Sequence, residues 1–265
     1  MTAAKPSGPA RWLTDSRVFL PVVAFVAIIA VWEAGVRMFE IPSFLLPAPS
    51  RIVGGFGDVT VLRWIEHVWA TLRVALLGYF FSIVVSVPIA VALARSELMS
   101  RMLYPILVVI QSTPVVAVAP IIIVVLGAGD TPRVVITFLI TFFPIVVSTT
   151  TGMMATPPEL VELSRSLRAP VAREITQIRL PYAVPYIFSA LKISITLAVI
   201  GAVVAEFVAA EKGIGYFIQF STSFFKVPQA FAGLFVLAAL SISLFQIVAL
   251  VQRLFFAWSL PRDTG

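Results

Sequence analysis

The chain has no cysteine and only one histidine, His67, in 265 residues. The first absence excludes disulfides and thiolate metal sites. The second leaves His67 without the partners a histidine-based metal site needs, so it reads as an interfacial residue. Charge is scarce as well: 12% of residues are charged, whereas soluble domains average roughly 25%. Hydrophobic residues make up 60% and mean hydropathy is +1.03. A soluble core of this size cannot hide that much apolar surface. Short alternating segments are missing too, which excludes a β-barrel. There is no Gly-x-x-x-x-Gly-Lys-Ser/Thr phosphate loop, so no nucleotide site of that kind. What remains is an all-α polytopic membrane protein.

A net charge of +6 does not imply nucleic acid. No RNA- or DNA-binding motif is present, and basic residues collect in the cytoplasmic loops of membrane proteins. Residues 1–17 form an N-terminal tail with Lys5, Arg11 and Arg17. The apolar run from Val18 to Val36 is long enough to span, and no small-x-small cleavage pattern follows. It reads as a retained first helix.

About twenty apolar residues cross a bilayer. Six runs qualify: 18–36, 74–94, 102–126, 134–152, 183–206 and 231–252. They form one transmembrane domain over 18–256, with a short C-terminal tail at 257–265. An even number of spans puts both termini on one side. Placing them in the cytoplasm gives twelve inside Lys/Arg: Lys5, Arg11, Arg17, Arg95, Arg101, Arg165, Arg168, Arg173, Arg179, Lys192, Arg253 and Arg262. The seven outside are Arg37, Arg51, Arg63, Arg73, Arg133, Lys212 and Lys226. This bias predicts cytoplasmic termini and a cytoplasmic 153–182 loop. The proline-broken stretch 41–49 and residues 59–72, with Trp64, His67 and Trp69, are expected at the outer interface.

Three spans carry polar groups. Span three has Gln111-Ser112-Thr113-Pro114 and Pro120, and both prolines are expected to bend it. Span four has Thr137, Thr141, Ser148 and Thr151 on one helical face. Span five has Ser189, Lys192, Thr196 and Glu206 on another. Interhelical hydrogen bonding explains any single Ser or Thr, but three such helices favour a pathway. The pathway candidates are Gln111, Thr113, Thr141, Ser148, Thr196 and Glu206, with Glu206 a gate or a partner contact at the outer end. Lys192 lies near the cytoplasmic end and can snorkel.

The 153–182 loop is polar and proline-punctuated, so it cannot lie in hydrocarbon. Thr156-Pro157-Pro158-Glu159 reads as a capped helix start, with Thr156 capping and Glu159 completing a capping box. Leu160, Leu163 and Leu167 share one face. Pro170 ends this helix and can begin a second, with Val171, Ile175 and Ile178 apolar. Two short amphipathic helices of mixed charge read as a docking element.

The spacing here resembles the coupling loop of type I ABC importer permeases, the membrane subunits of binding-protein-dependent transporters. That family shows Glu-Ala-Ala, then Gly, then Ile-x-Leu-Pro. Glu162-Leu163-Ser164 stand at the first motif, and Ile178, Leu180 and Pro181 at the last. Arg168 replaces the Gly, a departure that costs about 1 kcal/mol if the Gly geometry is kept. Pro170 could set the break instead. The likeness extends from about Phe44 to Phe256. Leu180 to Phe188, Gln111 to Pro114 and Ala205 to Tyr216 resemble the branch serving nitrate, taurine, sulfonates and thiamine-pyrimidine or riboflavin-type nutrients.

The resemblance implies a small organic nutrient, with a thiamine-pyrimidine precursor or a riboflavin-like compound first. It implies a bacterial inner-membrane location and a second permease copy. It further implies separate ATPase subunits that carry ATP and Mg, and a periplasmic or lipid-anchored binding protein. This chain would be no enzyme and bind no cofactor. Glu159, Glu162, Leu163, Ser164, Arg165, Leu167, Arg168 and Ala169 would dock the ATPase. An intramembrane enzyme would need paired acids or a Ser-His set, and an ion-driven carrier midplane charge pairs and repeated halves. Neither is visible in the sequence.

Overall fold

A computed structural model describes residues 16–260. Lys5, Arg11 and Arg262, used in the charge argument, lie outside them. The chain falls into two compact units. One runs to Thr60 and includes Ser221–Ala232; the other comprises Val61–Phe220 and the residues from Gly233 onward.

The first unit holds α1 (Ser16–Met38) and α2 (Pro49–Gly57). Pro49 opens α2 at a position where its missing N–H costs nothing. Glu33 ties α1 to α2. Its carboxylate accepts Ser50 N–H at 3.0 Å, Ser50 Oγ–H at 2.8 Å and Arg37 Nε–H at 2.6 Å.

The second unit contains α3 (Val61–Arg95), α4 (Glu97–Ser112), α5 (Val115–Leu126), α6 (Asp130–Met154), α7 (Pro158–Ser166), α8 (Val171–Glu174) and α9 (Leu180–Ala209). A π-helical turn, Ile175–Arg179, joins α8 to α9. Two helices, α10 (Ile214–Ser223) and α11 (Val227–Phe255), contribute residues to both units.

Among the described residues, five helices are long and apolar enough to cross a membrane, and α4 with α5 forms a sixth candidate broken by an 89° bend. The break falls at Thr113-Pro114. Thr113 is extended (ψ 123), as a residue before proline prefers, and Pro114 is the N-cap of α5. Pro120 lies inside α5 without interrupting it. The expected single bent span 102–126 is therefore two helices of 16 and 12 residues, about 24 and 18 Å long. Neither alone crosses roughly 30 Å of hydrocarbon.

The second span is longer than its apolar run. α3 starts at Val61, so Trp64, His67 and Trp69 ride on its first turns. At about 52 Å its 35 residues overreach the hydrocarbon.

The core of the second unit is α6 between α3 and α9. Contacts step the same way along α3 and α6, so these two run parallel: Gly78 meets Thr137, Ser82 bonds Thr141, and Ser86 Oγ donates to the Phe142 carbonyl at 3.0 Å. Along α9 they step in reverse. Gly201 meets Thr137, and Ser194 Oγ donates to the Thr141 carbonyl at 3.4 Å. Glycines let the backbones close up as small residues do in membrane bundles. A Cβ on Gly201 would lie 3.0 Å from Thr137 Cα. Val74, Ala75, Ile145, Ile195, Ala198, Val199 and Ala202 fill the seam.

Candidate functional site

The α6–α9 connection is anchored by Met153, Ile175 and Ala183, packed against Val91, Ala94, Leu180 and Ile187. α7 turns Val161 and Ser164 inward, at 8% and 5% exposure. Its outer face carries Leu160, Leu163 and Leu167, the last 73% exposed. Glu159, Glu162, Arg165 and Arg168 are also exposed, and Ala169 is half-buried. The docking candidates, Ser164 excepted, thus stand on the open side of one helix and its closing turn.

Two local expectations are corrected. Thr156 does not cap α7: the N-cap is Pro157, and the buried Thr156 hydroxyl makes no hydrogen bond. With Pro158 at the first helical position, one donor that a cap would satisfy is absent. The second short helix is not separate either. α8 has one turn and runs through the π-turn into α9. Ile175 is buried but Val171 is 47% exposed.

Arg168 adopts a backbone conformation that favours glycine. Its φ is +51°, in the left-handed region. Arg168 N–H bonds the Arg165 carbonyl at 2.9 Å, and Ala169 N–H bonds the Ser164 carbonyl at 3.0 Å. These two bonds make a complete Schellman turn. Pro170 comes after it and starts α8.

Sequence reasoning missed Glu174. This carboxylate is 7% exposed. Arg179 Nε donates to its Oε1 at 2.8 Å, and Arg165 Nε lies 3.8 Å from Oε2. Its signal was the only acid between Pro170 and Pro181, in a stretch with two arginines.

The pathway candidates separate into groups. Gln111 and Thr113 are exposed at the α4–α5 break. Thr196 is half-buried, its hydroxyl donating to the Lys192 carbonyl at 3.5 Å. Ser148 Oγ donates to the Tyr186 carbonyl at 3.0 Å, linking α6 to α9. Thr141 is fully buried; its hydroxyl donates to the Thr137 carbonyl at 2.9 Å and contacts Ser82 Oγ. Within one chain, Thr141 serves helix packing.

Glu206 is 1% exposed, at the end of the bundle opposite the loop. It accepts Thr71 Oγ1–H at 2.8 Å and Gly215 N–H at 2.7 Å. Thr71 Oγ1 also accepts Ile214 N–H at 2.8 Å, and His67 Nδ1 accepts Gly213 N–H at 3.2 Å. The carboxylate therefore fastens the start of α10 to α3 and α9. Around it Lys212 pairs with Glu66, and Asp130 pairs with Arg73 and Arg133. The Glu66 partner holds the Lys212 pKa above the ordinary lysine value. Arg73, Asp130, Arg133, Glu211 and Lys212 line a cavity of about 540 Å³.

Residues 85–257 match the family described as the binding-protein-dependent transport system inner membrane component. The chain belongs to that family. A riboflavin transport system permease protein from Chloroflexus aurantiacus is 34% identical over 238 residues, covering 89% of this chain and 88% of the relative. A formylaminopyrimidine transport permease protein from Halalkalibacterium halodurans is 33% identical, covering 90% and 95%. A taurine transport system permease protein from Escherichia coli is 25% identical, covering 94% and 92%. In fold, the chain matches one from the inward-facing MetNI methionine ABC transporter with a TM-score of 0.64, at 20% identity, covering 73% of this chain and 96% of that one. This chain is accordingly a multi-pass inner-membrane permease subunit of an ABC importer. The ATPase activity belongs to a separate subunit.

Proposed function

We propose that this permease moves a small heteroaromatic nutrient, of the formylaminopyrimidine or riboflavin kind, and couples to its ATPase through residues 157–178. The coupling reading rests on one observation: α7 and its C-cap offer Leu160, Leu163 and Leu167 to solvent, flanked by Glu159, Glu162 and Arg165, within the residues that match the family. An exposed apolar row on a membrane-protein loop calls for a protein partner. Two copies of the chain enclose the pathway, with Gln111, Thr113 and Thr196 facing it. Both termini and the loop face the cytoplasm, and a binding protein delivers substrate to the opposite side. Nitrate, taurine or alkanesulfonates form the second substrate reading. The vitamin-type relatives are 33–34% identical, the taurine relative 25%.

Co-expression with the partner ATPase and binding protein, followed by uptake of labelled formylaminopyrimidine, riboflavin and taurine, tests the substrate. Saturable ATP-dependent uptake of taurine alone would overturn the first choice. Replacing Leu163 with Glu tests docking. The ATPase should then no longer co-purify, and an intact complex would overturn the coupling reading.

A further inference from the structure

We propose that Glu174 is a positioning residue that ties the docking helix α7 to the transmembrane helix α9. The proposal rests on the coupling reading above.

A carboxylate with 7% exposure needs partners, because burying an unpaired charge is costly. Glu174 has one on each side. Arg179 ends the π-turn that opens α9, and its side chain is only 16% exposed. Arg165 sits in the last turn of α7 and its side chain is 70% exposed. The two arms differ: the Arg179 contact is a short hydrogen bond at 2.8 Å, the Arg165 contact a looser ion pair at 3.8 Å. The inner arm is shielded, so it survives. The outer arm lies in water, so it is the weaker of the two.

The backbone adds direction. α8, the π-turn and α9 form one continuous helical run from Val171 to Ala209. A push at Glu174 is therefore delivered to the foot of a membrane-spanning helix. α7 joins that run covalently only through Leu167 to Pro170, where Arg168 is left-handed and Pro170 extended. Regular helix is interrupted at that corner. The Arg165–Glu174–Arg179 cluster bridges it, so α7 and α9 turn together instead of folding about it. π-turns recur at functional sites, and this one places Arg179 five residues after Glu174.

The test uses the whole transporter, reconstituted with its ATPase in liposomes. The permease has no native cysteine, so Ser189→Cys, on an exposed position of α9, reports movement of that helix. The probe is the labelling rate by a thiol reagent, with and without ATP, Mg and vanadate. With Glu174 in place, nucleotide should change the rate by about fivefold or more, the scale of coupling between distant sites. Glu174→Gln keeps an acceptor for Arg179 but removes the charge that holds Arg165. In it the nucleotide response should shrink to less than about twofold, while the ATPase stays bound and hydrolyses ATP. Glu174→Asp should restore much of the response. A normal response in Glu174→Gln overturns the positioning role and leaves docking untouched. Failure of both variants to assemble makes Glu174 a folding residue and also overturns it. If the Glu174 protein itself shows no response, α9 is not driven from the loop and the proposal falls. Retention of the ATPase by Leu163→Glu would instead bring down the docking reading.

Discussion

Glu206 and Gly215 meet with no space between them: the carboxylate Oε2 accepts the Gly215 N–H at 2.7 Å. A Cβ on Gly215 would lie 2.8 Å from that oxygen and 2.9 Å from the Val203 carbonyl. The stretch from Ala205 to Tyr216 thus has a physical explanation. An acid at the end of α9 reaches back to bond the start of α10, and only glycine permits the approach.

Gly215→Ala should accordingly destabilise the permease by about 1–3 kcal/mol, the usual cost of overpacking a tight site. Gly213→Ala should cost more. Its φ is +123°, and the new methyl would also collide with the Glu206 carboxylate. Thermal unfolding midpoints in detergent read both. An unchanged midpoint for Gly213→Ala would remove the packing argument.

Arg168 is strained at a position that favours glycine. With φ at +51°, Arg168→Gly should relieve about 1 kcal/mol of left-handed strain, offset in part by the looser unfolded chain. Arg168→Val should cost more than the native residue, since branching at Cβ crowds that region further. Protease sensitivity of the 155–180 connection measures the order Gly, Arg, Val. A Val variant as resistant as the Gly variant would show that the Schellman turn is not held in solution.

The charge bias predicts the sidedness, and labelling reads it directly. Ser166→Cys sits on the exposed end of α7, and Glu211→Cys on the exposed opposite end of the bundle. An impermeant thiol reagent outside intact cells should label position 211 and reach position 166 only after permeabilisation. Labelling of 166 from outside would invert the topology.

Much of this was legible in the sequence, and the rest for identifiable reasons was not. Apolar runs of about twenty residues located the spans, because hydrocarbon demands them. The prolines at 157, 158 and 170 marked a break between two long helices, and short helices stand there. The start of α3 was hidden, because Trp64 and His67 look the same on an interfacial segment and on a helix projecting past the membrane. The 89° break was only half visible. Pro114 and Pro120 look alike in sequence, yet only Pro114 separates two helices. Membrane helices tolerate proline when neighbours compensate, so proline alone does not mark a break. The pairing of Glu174 with Arg165 was hidden, although the lone acid itself was visible, because the two lie across a turn whose shape depends on a left-handed arginine. Thr141 looked like a pathway group because helical periodicity reports that a face is polar, not what packs on it.

That last distinction yields a prediction with opposite outcomes for neighbouring helices. Thr141 has no exposed surface, and Gly78 and Gly201 bring α3 and α9 close around Thr137, one turn away. Thr141→Trp must force those helices apart, at a cost of 3 kcal/mol or more, roughly the upper range for overpacking. It should fail to accumulate or to assemble with the ATPase. Gln111 is exposed at the α4–α5 break. Gln111→Trp should therefore fold and retain the ATPase, yet cut uptake at least about tenfold by filling the space between two copies, a barrier change of ~1.4 kcal/mol. Thr196→Trp, half-buried on α9, should resemble Gln111→Trp in uptake with a smaller loss of stability. Size-exclusion profiles and ATPase co-purification report assembly, and labelled substrate uptake reports the pathway. If Gln111→Trp assembles and transports normally, the α4–α5 break faces lipid and not the translocation route. If Thr141→Trp also assembles normally, the α3–α6–α9 seam is looser than its glycines imply.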